Sequence, residues 1–284
     1  MSEPYYTNAH QNQVRRVIPE LIRSRELLMD LVWKDIRVRY RYASMGFLWA
    51  ILEPLFMMLV LTFVFSYLLN IRFDESGITF DATSILAGLV AWQFLSTSIS
   101  AATRSLIDSR NLVTKVGFPR EVIPLSTVGV ACVNFAIGGL LLLILCTVLL
   151  EGFLHPTIIF VLPVFLIQLV MIVGLGLFLS AANASFRDVA YMTDAVLLFG
   201  FYASPIIYPI DMVRKTLVDV DPLLYKLYFL NPMAGLITAY RQALFDKQFP
   251  DPAILAWPLV FSVVILLLGA YTFRKSAPTL ADKL

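Results

Sequence analysis

"VIPLSTVGVACVNFAIGGLLLLILCTVLL" occupies residues 122–150 and "TIIFVLPVFLIQLVMIVGLGLFLSAA" occupies 157–182. Neither run holds an Asp, Glu, Lys, Arg or His. Each exceeds the roughly 20 residues that an α-helix needs to cross ~30 Å of hydrocarbon. The rest of the 284-residue chain agrees, being 59% hydrophobic and 15% charged with a mean hydropathy of +0.78. Soluble domains carry about one-quarter charged residues. A soluble chain would have too much apolar surface to hide, and a disordered or nucleic-acid-binding chain would need far more charge. The fold class is therefore an all-α membrane protein.

Working outward from 122–182, four further apolar runs lie at 47–69, 84–100, 190–210 and 254–273. The run at 84–100 is weak, diluted by Gln93 and the hydroxyls of "QFLSTSIS". Six spans put both termini on one side. Basic residues choose the side. Lys and Arg before the first span (Arg15, Arg16, Arg23, Arg25, Lys34, Arg37, Arg39, Arg41), between spans two and three (Arg104, Arg110, Lys115, Arg120), at Arg187 and at the end (Arg274, Lys275, Lys283) make sixteen of the 22. The positive-inside rule makes that side cytoplasmic. Residues 1–44 read as a cytoplasmic N-terminal segment, 45–274 as the transmembrane domain and 275–284 as a cytoplasmic tail. The leading segment is too long and too charged for a signal peptide, so 47–69 is expected to be retained as a helix.

Cys132 and Cys146 share one apolar run, 14 positions apart, or about 21 Å along a helix, and cannot bridge each other within it. His10 and His155 lie outside the runs, so no cluster has the spacing of a metal site and no bound metal is expected. No Gly-Lys-Ser/Thr phosphate loop occurs, so ATP hydrolysis by that route is not expected of this chain. Two carboxylates fall inside spans, Glu53 and Asp194. Each lies some two turns from the cytoplasmic end, where pairing with a nearby Arg or hydration accounts for it as well as a proton relay would. No catalytic residue is assigned.

Three stretches between the spans carry information. Within 19–42, Leu28, Val32, Ile36 and Tyr40, with Met29 and Trp33, fall on one helical face, and Asp30, Lys34, Arg37 and Arg41 on the opposite one. A basic amphipathic helix just before a span belongs in the inner headgroup layer, or against a soluble partner. Residues 101–121 form a cytoplasmic loop with a helical stretch and a Gly-Phe-Pro stop at 117–119. An exposed Phe118 beside Pro119 suits docking into another protein, and a plain connecting loop is the other reading. The outer stretch 211–252 is too apolar for a solvated loop, yet Pro222 and Pro232 break it. Short helices on or in the outer leaflet are expected there, with Asn231-Pro232 as the turn between them, a candidate gate over a pathway.

Aromatic residues make up 13% of the chain. Phe63 and Tyr67 in the first span, Tyr202 and Tyr208 in the fifth, and Tyr225 and Tyr228 in the outer stretch are the candidates for a path and its gate. Facing lipid or forming the interfacial belt is the competing reading. Tyr202 and Tyr208 stand out because Gly200, Pro205 and Pro209 interrupt their span, and broken helices are tolerated where they meet protein or a cavity. Stacked aromatic faces would suit a sugar chain. Gly176, Ser180 and Ala184 form a small-residue ladder for close helix contact.

Five strings line up in one order: "RELLMDLVWKDIRVRYRYASMGFLWAILEP" at 25–54, "KVGFPREVIPLS" at 115–126, "ASFRDV" at 184–189, "SPIIYP" at 204–209, and "NPM" at 231–233 with the later Arg241. Together with six spans they resemble the membrane subunits of type-2 ABC transporters, most closely the exporters of O-antigen, capsule and teichoic acid. The resemblance runs from about 25 to 275. It implies a homodimeric permease in the bacterial inner membrane, docked to two copies of a separate ABC ATPase that carries the ATP and Mg. The chain itself would hold no cofactor and bind no nucleic acid. Arg110, Asn111, Leu112, Lys115, Phe118 and Pro119 would then contact the ATPase. Lys34, Arg37, Arg39 and Arg41 would lie near the pyrophosphate of a lipid-linked polysaccharide at a lateral opening, where a polybasic patch attracts anionic head groups. The outer stretch would supply short gate helices. An exporter of small hydrophobic molecules or drugs on the same scaffold is the alternative. A membrane-embedded glycan or lipid transferase using Glu53 or Asp194 as base is a third reading, with no convergent acid, base and metal set behind it.

Overall fold

The computed structural model describes residues 24–41, 48–71, 78–115, 119–150 and 155–280. In chain order these form α1 (Arg25–Arg41), α2 (Trp49–Leu61) continuing into a π-helical segment (Thr62–Leu68), α3 (Ile78–Asp108), α4 (Arg110–Lys115), α5 (Val122–Leu149), a 3-10 turn (Pro156–Phe160) leading into α6 (Val161–Ser185), α7 (Val189–Tyr202), α8 (Ile210–Val220), α9 (Pro222–Tyr228), α10 (Pro232–Leu244), α11 (Pro252–Ser276) and a 3-10 turn (Ala277–Thr279). No strand occurs among the described residues.

Five of these stretches are long and apolar enough to cross a membrane: Trp49–Leu68, Asp81–Asp108, Val122–Leu149, Pro156–Ser185 and Pro252–Ser276. The expected span at 84–100 becomes the longest helix and the centre of the bundle. In its most apolar window 72% is buried, against 28% or less in each of the other four. Hydropathy undersold it because its hydroxyls face protein: Ser84, Ser98, Thr103 and Ser105 are all buried, and Thr103 and Ser105 donate back to the carbonyls of Ile99 and Ala102.

The expected fifth span, 190–210, is not one long helix. Its helix ends at Tyr202 after 14 residues, about 21 Å at ~1.5 Å per residue and short of a hydrocarbon core. Prolines at 205 and 209 remove the donors that would carry it further. Residues 203–209 run on as irregular backbone, and then come three short helices. Two of the three start on an Asx-Pro cap: the side chain of Asp221 accepts from the Leu223 amide at 2.8 Å, and Asn231 accepts from Met233 at 3.0 Å. A Pro in the next position costs nothing there, since its missing N–H has no helical partner.

Close packing of small residues holds the bundle. At the α6–α11 crossing a Cβ on Gly269 would sit 2.1 Å from the Gly174 carbonyl oxygen, and one on Gly174 would sit 2.5 Å from the Leu266 nitrogen. Only glycine permits that approach. In the Gly176–Ser180–Ala184 ladder all three residues are buried, and Gly176 faces Ala102 of α3. Polar contacts add register: Gln168 donates to the Ala91 carbonyl at 2.7 Å and accepts from the Tyr240 hydroxyl at 2.9 Å, tying α3, α6 and α10 together. α1 packs on α5 through Val32 against Gly129.

Candidate functional site

The basic end of the bundle is a second, smaller core. Leu106 of α3, Ile123 of α5, Leu177, Ala181 and Ala184 of α6, Phe273 of α11 and Leu280 beyond it are buried together, with Leu112 of α4 packed against them. Arg120 donates to the Ala277 carbonyl, fastening the 3-10 turn Ala277–Thr279 to the start of α5. Leu112 thus brings the short helix α4 against this core. Of the residues expected to meet an ATPase, Arg110 and Asn111 are exposed and Leu112 and Pro119 half-buried. Lys115 is the last residue of α4. Its side chain, and Phe118 entirely, lie outside the described residues.

α1 lies at the same end. Leu31 and Val32 are buried, whereas Met29 and Trp33 are more than half exposed. One face thus serves α5, and a second apolar stripe is left free beside exposed Lys34 and Arg37. Lys34 pairs with Asp35 at 3.1 Å. Arg39 and Arg41 complete the helix, and their side chains lie outside the described residues.

Between α3 and α7 the two ends of an ion pair meet. Arg104 donates to Asp194 and, at 2.6 Å, to the Ser100 hydroxyl, which itself donates to Asp194 at 3.1 Å. Of the two readings of Asp194, the structure takes helix-end pairing. Glu53 is exposed on α2. Nearby, Asn183 of α6 donates to the Thr103 carbonyl and accepts from the Ala190 amide, fixing the start of α7.

At the opposite end stands Arg241, which sequence reasoning noticed only as part of a string. It projects from α10 into the break after α7. Its guanidinium donates to the carbonyls of Pro205 (2.5 Å), Ile206 (2.7 Å) and Tyr208 (3.4 Å) and to Ser84 at the start of α3 (3.1 Å). Buried irregular backbone needs its carbonyls satisfied by protein, and one planar fork with five donors does it here. Gly88 of α3 makes room, since a Cβ there would lie 3.1 Å from both the Arg241 Nη2 and the Ile206 Cα. Burial pulls the Arg241 pKa down to about 10, so it stays charged at neutral pH.

The tyrosines gather around this break. The Tyr208 hydroxyl donates to the Tyr202 carbonyl at 2.9 Å and lies 3.3 Å from that of Tyr228. Tyr225 and Tyr228 each pack edge-on against Phe229. Burial raises the Tyr228 pKa, so its phenol stays neutral. Asn231 joins the group, its amide donating to the Ser204 hydroxyl at 2.9 Å, and Trp257 of α11 donates to the Leu230 carbonyl. Phe63 and Tyr67 stack on each other, centroids 5.7 Å apart, on the exposed face of the first span. Their segment departs from α-helix: the Leu69 amide bonds five residues back to Val64, and Asn70, at φ 53°, ends it in the left-handed region. An apolar cavity of about 90 Å³ lined by Val90, Phe135, Leu142, Val161 and Tyr240 among others includes none of the expected path residues.

Residues 26–245 match the ABC-2 type transporter family. The chain is 30% identical to the O-antigen export system permease protein RfbA of Myxococcus xanthus over 95% of its own length and 99% of the relative's. It is 25% identical to an O-antigen export system permease protein RfbA of Klebsiella pneumoniae, with 88% and 92% covered. It is 22% identical to the polysialic acid transport protein KpsM of Escherichia coli, with 86% and 91% covered.

Proposed function

Because the chain belongs to the ABC-2 type transporter family, we propose that it is the membrane permease subunit of an ATP-driven exporter that moves a lipid-linked polysaccharide, O-antigen-like or capsular, from the cytoplasmic side across the inner membrane. The observation that carries this reading is the end-to-end match to an O-antigen export permease, covering 95% of one chain and 99% of the other. In this reading the basic end is cytoplasmic, as are both termini, and α7 with residues 203–209 completes a sixth crossing. Two copies of the chain enclose the path and two ATPase subunits dock beneath them. ATP closes the ATPase pair, α4 takes up the motion, and the small core of Leu106, Ile123, Leu177 and Phe273 passes it to four spans at once. α1 lies in the inner headgroup layer, its basic face toward the substrate's pyrophosphate. α8, α9 and α10 cap the outer end, and the Tyr208–Tyr228 contact is part of the gate. Sugar rings pass aromatic faces because their C–H surfaces are apolar.

The test is depletion of the chain in its host. Lipid-linked polysaccharide accumulates on the cytoplasmic side while its synthesis continues, and wild-type chain supplied in trans restores surface polymer. Surface polymer that persists at its normal level after depletion contradicts the proposal.

A further inference from the structure

Arg104 is a charged residue inside a helix apolar enough to span a membrane, one turn before that helix ends at Asp108. Such residues are functional candidates by default. Its guanidinium is not sealed in the core. The Arg104 side chain is 37% exposed and that of Asp194 46%, so anions from the aqueous or headgroup layer can reach both. The site has three parts. A planar cation presents two nitrogens, Nη2 to the Asp194 carboxylate and Nη1 to the Ser100 hydroxyl at 2.6 Å. The Ser100 hydroxyl adds a second donor aimed at the same carboxylate, at 3.1 Å. Arg104 and Ser100 sit one turn apart on α3, the most buried of the five candidate spans, and so form a fixed cradle.

Asp194 belongs to a different element. α7 is short, and only Ala190 and Thr193 of it are buried, while Tyr191, Met192, Val196, Phe199 and Tyr202 are largely exposed. The carboxylate is thus a tethered anion from a largely exposed helix, resting in a rigid anion cradle. We infer that Arg104 and Ser100 form a phosphate subsite, in which Asp194 is the resident occupant that the phosphate of an incoming lipid head group displaces. Phosphate matches the guanidinium fork as a carboxylate does and carries more charge. Displacement removes one tie between α7 and α3, so arrival of the head group loosens the helix that carries Tyr202. The inference rests on the proposed export of a lipid-linked substrate, but its binding test does not require export.

The experiment uses the full-length protein purified in detergent and measures Kd for phosphatidic acid, with diacylglycerol as the uncharged lipid control and inorganic pyrophosphate as the free-anion control. Melting temperature is recorded in parallel. Asp194→Asn keeps the shape and removes the competing charge, and so tightens phosphatidic acid binding by about two- to fivefold, the worth of a half-exposed ion pair. Arg104→Gln weakens it by at least as much. Arg104→Lys keeps the charge without the fork and falls between Arg104→Gln and wild type. A merely structural ion pair lowers the melting temperature in both variants and leaves Asp194→Asn binding unchanged or weaker, which overturns the inference. Equal affinity for pyrophosphate and phosphatidic acid overturns the assignment to a lipid head group. Failure of export with these binding changes intact counts against the transport reading alone.

Discussion

Arg241 of α10 bridges the break after α7 and the first turns of α3. Four backbone carbonyls, from two segments far apart in sequence, converge on its guanidinium. Leaving a buried acceptor unpaired costs about 1–3 kcal/mol, so Arg241→Met destabilises the protein by on the order of 3 kcal/mol or more. Arg241→Lys recovers little, because one compact ammonium cannot span carbonyls that a planar fork reaches. Thermal unfolding in detergent checks both, and a melting temperature within a degree of wild type in either variant contradicts the clamp. The sequence pointed to this residue only by its place after an Asn-Pro-Met string. A lone Arg in an otherwise apolar helix was the available signal, but its partners are main-chain atoms, which leave no pattern in a sequence. The same holds for Asn183, whose partners are the Thr103 carbonyl and the Ala190 amide.

At the scale of elements, apolar length identified five spans, four to within a few residues and the one at 84–100 as shorter and weaker than it is, while the run at 190–210 is not one long helix. α3 looked marginal because hydropathy counts a hydroxyl as polar wherever it points, and here several point into protein. The fifth read as a span interrupted at Gly200, Pro205 and Pro209, and an apolar run says nothing about where the helical hydrogen bonds stop, which is at Tyr202. Its Gly and Pro signals were correct, and the structure places the break at 203–209. The Asn231-Pro232 turn was legible outright, as a cap whose chemistry is local. The packing of α4 was not, since it depends on Leu280 and Phe273 from the far end of the chain. Leu280 is fully buried, so Leu280→Asp places a charge in that small core and frees α4. Amide exchange in 110–115 and 122–126 rises in this variant, while that in 232–244 stays at its wild-type rate. Unchanged exchange in 110–115 contradicts the seating of α4 on that core.

For the whole molecule, the two ends of the bundle are built differently around one close-packed middle. The basic end gathers α1, α4 and the Arg104–Asp194 pair. The opposite end gathers the broken backbone, its Arg241 clamp and the tyrosines. Between them lie the glycine crossing of α6 and α11 and the Gln168–Tyr240 contact. A rigid body of this kind transmits displacement rather than absorbing it, as close-packed interiors do. In the proposed exporter, motion enters through α4 and the Gly-Phe-Pro stop from a separate ATPase. This is tested most directly by co-expressing the full chain with its cognate ATPase, purifying both in detergent, and comparing wild type with a Phe118→Asp, Lys115→Glu double variant. The account predicts that the wild type brings the ATPase with it, and that the variant, still inserted and self-associated, loses it. A variant that retains the ATPase at the wild-type ratio would contradict the account.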